Sequence, residues 1–251
     1  MANLDILYRV CLYFTMECVR LLGISEHGGT EKDKLNSELL LRLLTPLNKL
    51  YTAKCAVYCV SEGIECMGGI GYLEPSLMPR IYRDAQVLPV WEGTTNVLSL
   101  DVLRVLKHRI HGMNTWKLYC KRVKDVIKLN KKDNQELKQQ FDLLQRFMNK
   151  YGNNQRLCEL YARDIAFSMF RIFAAGLLYH HAFDTKNEID MNVYRRFVDG
   201  KMQCSFVAGD CGKCLMSQSL INLLNENVTD KQYGEQIRYL NELGMSKYSK
   251  L

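Results

Sequence analysis

Trp91-Glu92-Gly93-Thr94-Thr95-Asn96 is the stretch from which the rest of this chain is read. From Thr95 onward, Val97, Leu98, Val102, Leu103, Val105 and Leu106 recur at the spacing of one helix face. Upstream lies 72–90, which holds Pro75, Pro79 and Pro89, three of the chain's four prolines, and reads as a stiffened loop. Before it stand Gly68-Gly69-Ile70-Gly71-Tyr72, where glycines end a helix that begins at Leu47 and buries Leu50, Tyr51, Val57, Tyr58 and Ile64. A shorter helix over 37–44 is expected to stop at Thr45-Pro46. Ahead of a polar loop over 26–34, apolar residues at 4, 7, 8, 11, 12, 15, 18, 19 and 22 give an amphipathic helix closed by Gly23.

Downstream the helical pattern continues. Trp116, Tyr119, Cys120, Val123, Val126 and Ile127 share one face, and Leu137, Phe141, Leu144 and Met148 share the next. A long, nearly uncharged helix over 155–183 is placed centrally. Thr185-x-x-Glu188 reads as a capping box opening a helix to Val198 that Gly200 ends, and shorter helices follow near 214–224 and 230–243. No run alternates as a strand does. The fold expected is all-α: one helical bundle over 1–109, a second over 110–245, and a tail at 246–251.

Three motifs, Glu65-x-x-Gly68-Gly69-x-Gly71-Tyr72, Pro79-Arg80-x-Tyr82-Arg83-Asp84 and Trp91-Glu92-Gly93-Thr94-Thr95-Asn96, occur as a linked set. Together they resemble the end of the catalytic domain of flavin-dependent acyl-CoA dehydrogenases. The tryptophan before the glutamate, and Leu100-Asp101-Val102-Leu103-Arg104, look closest to the AidB-like branch. The likeness is dense over 37–106. It implies an acyl-CoA substrate, FAD as cofactor and self-association into a homo-oligomer. It also implies a role for Glu92 as the base that removes the α-proton, in a dry pocket walled by Trp91. Gly68, Gly69, Gly71, Thr94 and Asn96 match positions that touch the cofactor, and no metal is implied. Glu65 stands where many members carry glutamine, and Arg80, Arg83 and Asp84 are read as an ion pair holding the proline-rich loop. The family's helical N-terminal domain, its β-barrel that cradles the flavin ring and its R-x-x-F-G segment are not matched in this chain. Alone, the chain is expected to be a poor dehydrogenase, belonging to a longer protein, a shorter isoform or a relative without the cradle.

Composition narrows the rest. Charged residues at 24% and hydrophobic ones at 47% are ordinary for a globular protein. No basic leader precedes the first apolar residues, and no apolar run is long enough to span a bilayer. Ten cysteines without a secretory signal read as reduced thiols. Cys211-Gly212-Lys213-Cys214, with Cys204, is read as a loop thiol pair in preference to a zinc or redox site, because no second ligand pair has the spacing. The chain closes on Ser249-Lys250-Leu251, the tripeptide that addresses proteins to the peroxisome.

Charge is uneven. Between 107 and 150 twelve Lys or Arg stand against four acids, a surplus of +8 where the whole chain is +7. Lys117, Lys121, Lys124 and Lys128 fall on one helical face. Such a face can meet phosphates, and the AidB-like resemblance associates it with DNA. A non-catalytic helical interaction or nucleic-acid-binding module is therefore the alternative reading. A solvated face is the commoner outcome, no base-reading motif is present, and a peroxisomal address disfavours nucleic acid.

Overall fold

The computed structural model describes residues 2–199 and 215–225. Among them every regular element is helical. The Cys204 and Cys211–Cys214 thiols, the helix expected over 230–243, Gly200 and the Ser249–Leu251 tail lie outside the described residues.

Helix α1 (Ala2–His27) buries Ile6, Leu7, Val10, Phe14, Cys18 and Leu21 along one stripe. It runs through Gly23 rather than stopping there; a helix-interior glycine costs about 1 kcal/mol, which the stripe outweighs. Helix α2 (Glu31–Met67) is a single 37-residue rod where the sequence suggested two helices. Thr30 opens it with a reciprocal cap: its Oγ1 accepts from the Asp33 amide, and Asp33 accepts from the Thr30 amide. Pro46 lies inside α2 and denies the Arg42 carbonyl its amide partner, a loss of about 3 kcal/mol. Leu43, Leu44, Leu47 and Leu50, on both sides of the proline, are 0–1% exposed. Burial of such side chains is worth about 1.5–3 kcal/mol each and holds the rod together.

The stretch read as a loop after Gly71 is mostly helical. Helix α3 (Gly69–Tyr72), a 3-10 turn (Glu74–Ser76) and helix α4 (Met78–Val87) follow one another, with Pro75 and Pro79 in first turns, where a missing N–H is no loss. Helices α5 (Thr95–Leu106), α6 (Gly112–Leu129) and α7 (Gln135–Tyr151) lie close to where the periodicity put them. The helix expected over 155–183 is broken at Tyr161 into α8 (Gln155–Leu160) and α9 (Ala162–Thr185). Helix α10 (Glu188–Val198) is capped by Asn187, whose side chain accepts from Ile189. The Thr185 hydroxyl goes instead to Asp190, so the predicted capping box does not form. Helix α11 spans Gln218–Asn225.

Helix α9 is the centre, buried along most of its length from Ala162 to Ala182. Its Phe170 ring stacks on Phe14 of α1 at 4.2 Å and on Tyr51 of α2 at 3.9 Å. Tyr119 of α6 packs on Phe173 and donates its hydroxyl to the Met169 carbonyl at 2.8 Å. Along the same helix, Ser168 accepts from the Ser217 amide, and Asp164 accepts from the hydroxyls of Ser217 and Ser219. One apolar core thus runs continuously from Ile6 to Leu223, shared between the 1–109 and 110–245 stretches. Among the described residues no helix is long and apolar enough to cross a membrane.

Candidate functional site

Helix α4 unwinds through overlapping turns, with the Val90 and Trp91 amides both bonded to the Val87 carbonyl. Glu92 then takes φ 54° and Gly93 φ 112°, before Thr94 returns to extended backbone as the N-cap of α5. A left-handed glutamate costs on the order of 1–2 kcal/mol, so the surroundings must hold it. Gly93 is the residue the turn requires, since φ 112° is open only to glycine and a Cβ there would also stand 3.2 Å from Leu98.

Lys49 of α2 supplies the hold. Its Nζ donates to the carbonyls of Trp91 at 2.5 Å and of Gly93 at 2.6 Å, on either side of Glu92. Burial pushes the Lys49 ammonium below its ordinary range, and the Glu92 charge opposes that shift. Arg42, two turns earlier on α2, makes a paired bond to Asp101 of α5 at 2.7 and 2.9 Å. The middle of α5 is thereby tied to α2. The sequence reading missed Lys49. Its signal was a lone cation between the core residues Leu47, Leu50 and Tyr51.

Glu92 itself is exposed, and Trp91 is 53% exposed. The dry pocket expected around Glu92 is therefore not formed by Trp91 and the turn. Around this turn and the glycine segment stand other apolar side chains in water: Ile70 at 66%, Tyr72 at 80%, Leu77 at 61% and Val90 at 61% exposed.

The other half of the predicted site sits at the far end of α2. Gly68 ends that helix at φ 62°, and both Gly68 and Gly69 have open space where a Cβ would stand. Gly71 is different: it is buried, and a Cβ would meet the Ile64 carbonyl oxygen at 2.4 Å. The fold alone demands that glycine. Nineteen residues of helix separate Gly68 from Lys49, roughly 28 Å at 1.5 Å per residue. The glycines and the Glu92 turn are therefore two places on this chain, not one pocket. The predicted Arg80, Arg83 and Asp84 cluster is also redistributed. Arg83 pairs with Glu74 at 3.0 Å, while Arg80 approaches Asp84 only to 3.9 Å. These exposed pairs contribute little stability.

Lys117, Lys121, Lys124 and Lys128 are exposed along α6 and border a groove of about 600 Å³ against α7, floored by Trp116, Cys120 and Met148. No group of three or more potential metal-ligating side chains occurs among the described residues.

Residues 26–107 match the model of the acyl-CoA dehydrogenase C-terminal domain, and 114–220 that of the acyl-CoA dehydrogenase 11 C-terminal domain-like family. This chain belongs to the acyl-CoA dehydrogenase family, in its C-terminal region. It is 39% identical to acyl-CoA dehydrogenase family member 11 of Caenorhabditis elegans over 210 residues, 78% of this chain and 33% of that protein. Over 68 residues it is 48% identical to the putative acyl-CoA dehydrogenase AidB of Escherichia coli, 27% of this chain and 13% of that protein. The crystal structure of C. elegans ACDH-11 in complex with C11-CoA superposes with a TM-score of 0.67 at 33% identity, covering 90% of this chain and 39% of that one. The chain thus spans about a third of the nematode relative's length.

Proposed function

We propose that this chain is the C-terminal helical part of a protein that oxidises acyl-CoA thioesters between Cα and Cβ with FAD, Glu92 being the base. The observation that carries the reading is the Glu92 turn: a left-handed glutamate followed by glycine, clamped by Lys49 and presented at the head of α5. A carboxylate held at a fixed place suits removal of a weakly acidic α-proton, because general-base transfer depends on geometry before proton affinity. FAD, when bound, would supply the acceptor for the hydride that leaves Cβ.

What this chain presents fits such a dinucleotide. Thr94 caps α5 without using its side chain, leaving that hydroxyl and the α5 N-terminus facing an incoming group together with Asn96. Gly68 and Gly69, with no protein atom within 4 Å of a built Cβ, admit close backbone approach. Because the two places lie far apart along α2, the glycines and the Glu92 turn would serve different copies of the cofactor. That arrangement fits a homo-oligomer, in which the exposed apolar residues between 67 and 97 become covered. Catalysis requires that cover, since a base in bulk water gains nothing from desolvation. The acyl-CoA found in the nematode structure agrees in ligand class with this reading. The terminal Ser249-Lys250-Leu251 supports placement in the peroxisome, which a fluorescent fusion ending in the native tail, compared with one lacking those three residues, would test.

The catalytic test is Glu92→Gln in the complete protein. We expect flavin content and acyl-CoA binding to persist while enoyl-CoA formation falls about 10²–10⁴-fold. Retained turnover would remove Glu92 from the role. The alternative, a non-catalytic interaction module acting through the lysine face, predicts no bleaching of the flavin bands by any acyl-CoA in the unmutated protein.

A further inference from the structure

We infer that Lys49 is a positioning residue for the Glu92 base, acting through the two backbone carbonyls that flank it. The inference rests on the assignment of Glu92 as base. It adds a residue that contributes no atom to substrate or cofactor.

Three features of the geometry point to this role. The Lys49 Nζ reaches both the Trp91 and the Gly93 carbonyl, so a single cation bridges the peptide units on either side of Glu92. Between the two bonded carbonyls stands the residue whose backbone resists the arrangement, Glu92 at φ 54°, followed by Gly93 at φ 112°, which glycine adopts freely. Without a tie, a non-glycine residue relaxes toward negative φ, which re-aims its side chain. Finally, the cation is rooted in a rigid element. Lys49 is half-buried on the 37-residue helix α2, and its chain neighbours Leu47 and Leu50 are 0% and 1% exposed and anchor that helix in the core. Nearby, the Arg42 to Asp101 bond fixes the helix that follows the turn. A surface turn is thus gripped from beneath at both shoulders, and a misplacement of about 1 Å is enough to cost on the order of 10²-fold in a proton transfer.

The two donors also explain why a lysine fits here. An ammonium offers three rotatable N–H groups and so satisfies two carbonyls that are not coplanar, with one N–H left over. Methionine matches its volume and apolar stem while removing both donors. Arginine keeps two or more donors and the charge in a planar fork.

The experiment has two arms. In the first, the 251-residue chain and its Lys49→Met and Lys49→Arg variants are compared by amide hydrogen exchange. Lys49→Met should speed exchange in peptides covering 88–96 by tenfold or more, leaving peptides within α9 unchanged, and Lys49→Arg should restore most of the protection. Unchanged exchange at 88–96 would overturn the clamp, whatever the chain's activity. In the second arm, the flavin-loaded complete protein is assayed with an acyl-CoA. Lys49→Met should lower kcat about 10²-fold with KM changed by less than about threefold and flavin content intact, and Lys49→Arg should recover at least a tenth of the rate. A Lys49→Met enzyme with full kcat, beside an inactive Glu92→Gln, would overturn positioning while leaving Glu92 as base. If Glu92→Gln were itself fully active, the base assignment would fall and the positioning role with it, and the exchange arm would still report whether the clamp exists.

Discussion

Replacing Glu17 by Gln tests the join between the first helix and the basic stretch. Glu17 is 6% exposed, and its carboxylate accepts from Arg20 at 2.7 and 2.8 Å and from Arg122 of α6 at 2.5 Å. Burial pushes this carboxyl upward, but the Arg20 bonds and the charges of Arg122 and Arg20 together hold it below its usual value. Charge-assisted bonds of this kind net about 1.5–3 kcal/mol each when fully buried. Here both guanidinium groups are 45–46% exposed and regain water when released, so most of that sum is discounted. About 2 kcal/mol remains for Glu17→Gln, roughly 4–8 °C in Tm for a chain of this size. Because the folded carboxyl is depressed, its stabilisation is complete above the unfolded value near about 4.3 and is lost as pH falls through the lower folded value. Thermal melts of wild type and variant should therefore differ by a constant amount above about pH 5.5, and the gap should begin to close as pH falls below about 4. A double-mutant cycle with Arg122→Met should give a coupling of about 1 kcal/mol. A Tm difference under 1 °C at pH 7, or one that does not narrow as pH is lowered from about 5.5, would refute the argument.

Gly71→Ala should destabilise by about 1–3 kcal/mol in urea melts, because its Cβ meets the Ile64 carbonyl oxygen. Gly69→Ala, with open space at that position, should leave the melt within about 1 kcal/mol and show its effect in flavin retention instead. Burial pushes the Cys18 thiol up to about 12 and the Cys120 thiol up to about 11. In a timed alkylation at pH 8 read by mass spectrometry, exposed Cys66 should label first among the described cysteines, and these two should label only after denaturant is added. Tyr119→Phe should cost about 1 kcal/mol through loss of its hydroxyl bond to the Met169 carbonyl, again read from urea melts.

Much of the fold is legible because helix periodicity survives packing. The stripes of α1, α5, α6 and α7 mark themselves, and the near-absence of charge in α9 announces its central place. Punctuation was less dependable. Pro46 and Gly23 are breakers in isolation, yet Pro46 does not outweigh the buried leucines on each side of it, nor Gly23 the buried stripe that precedes it in α1. Pro75 and Pro79 were read as loop residues when they occupy helix first turns, where proline is harmless. The Thr185 box failed for a related reason: Asn187 stood closer to the helix start, and Asp190 claimed the threonine hydroxyl. At the site, the Glu92 turn was visible because its side chains are distinctive. Lys49 was not, because its partners are backbone carbonyls, and a carbonyl leaves no mark on the sequence.

Exposure is what links the fold to the proposed chemistry. Large apolar side chains stand in water at both places, Ile70, Tyr72 and Leu77 by the glycines and Trp91 beside Glu92, as surfaces covered by a partner do. The clamp fixes the backbone on either side of Glu92, and Gly68 and Gly69 follow the C-terminal end of α2, about 28 Å along the helix from Lys49. Position without dryness makes a weak base, so the two requirements are met by different parts: α2 and Lys49 hold the carboxylate, and whatever covers the apolar side chains must exclude water from it. The consequence is measurable. If another copy or another domain covers this surface in the complete protein, Tyr72→Lys and Leu77→Lys should lower its assembly state or flavin content while leaving the melt of the 251-residue chain within about 0.5 kcal/mol. If the same substitutions instead unfold the 251-residue chain, those side chains serve its own core, and the surface is not an interface.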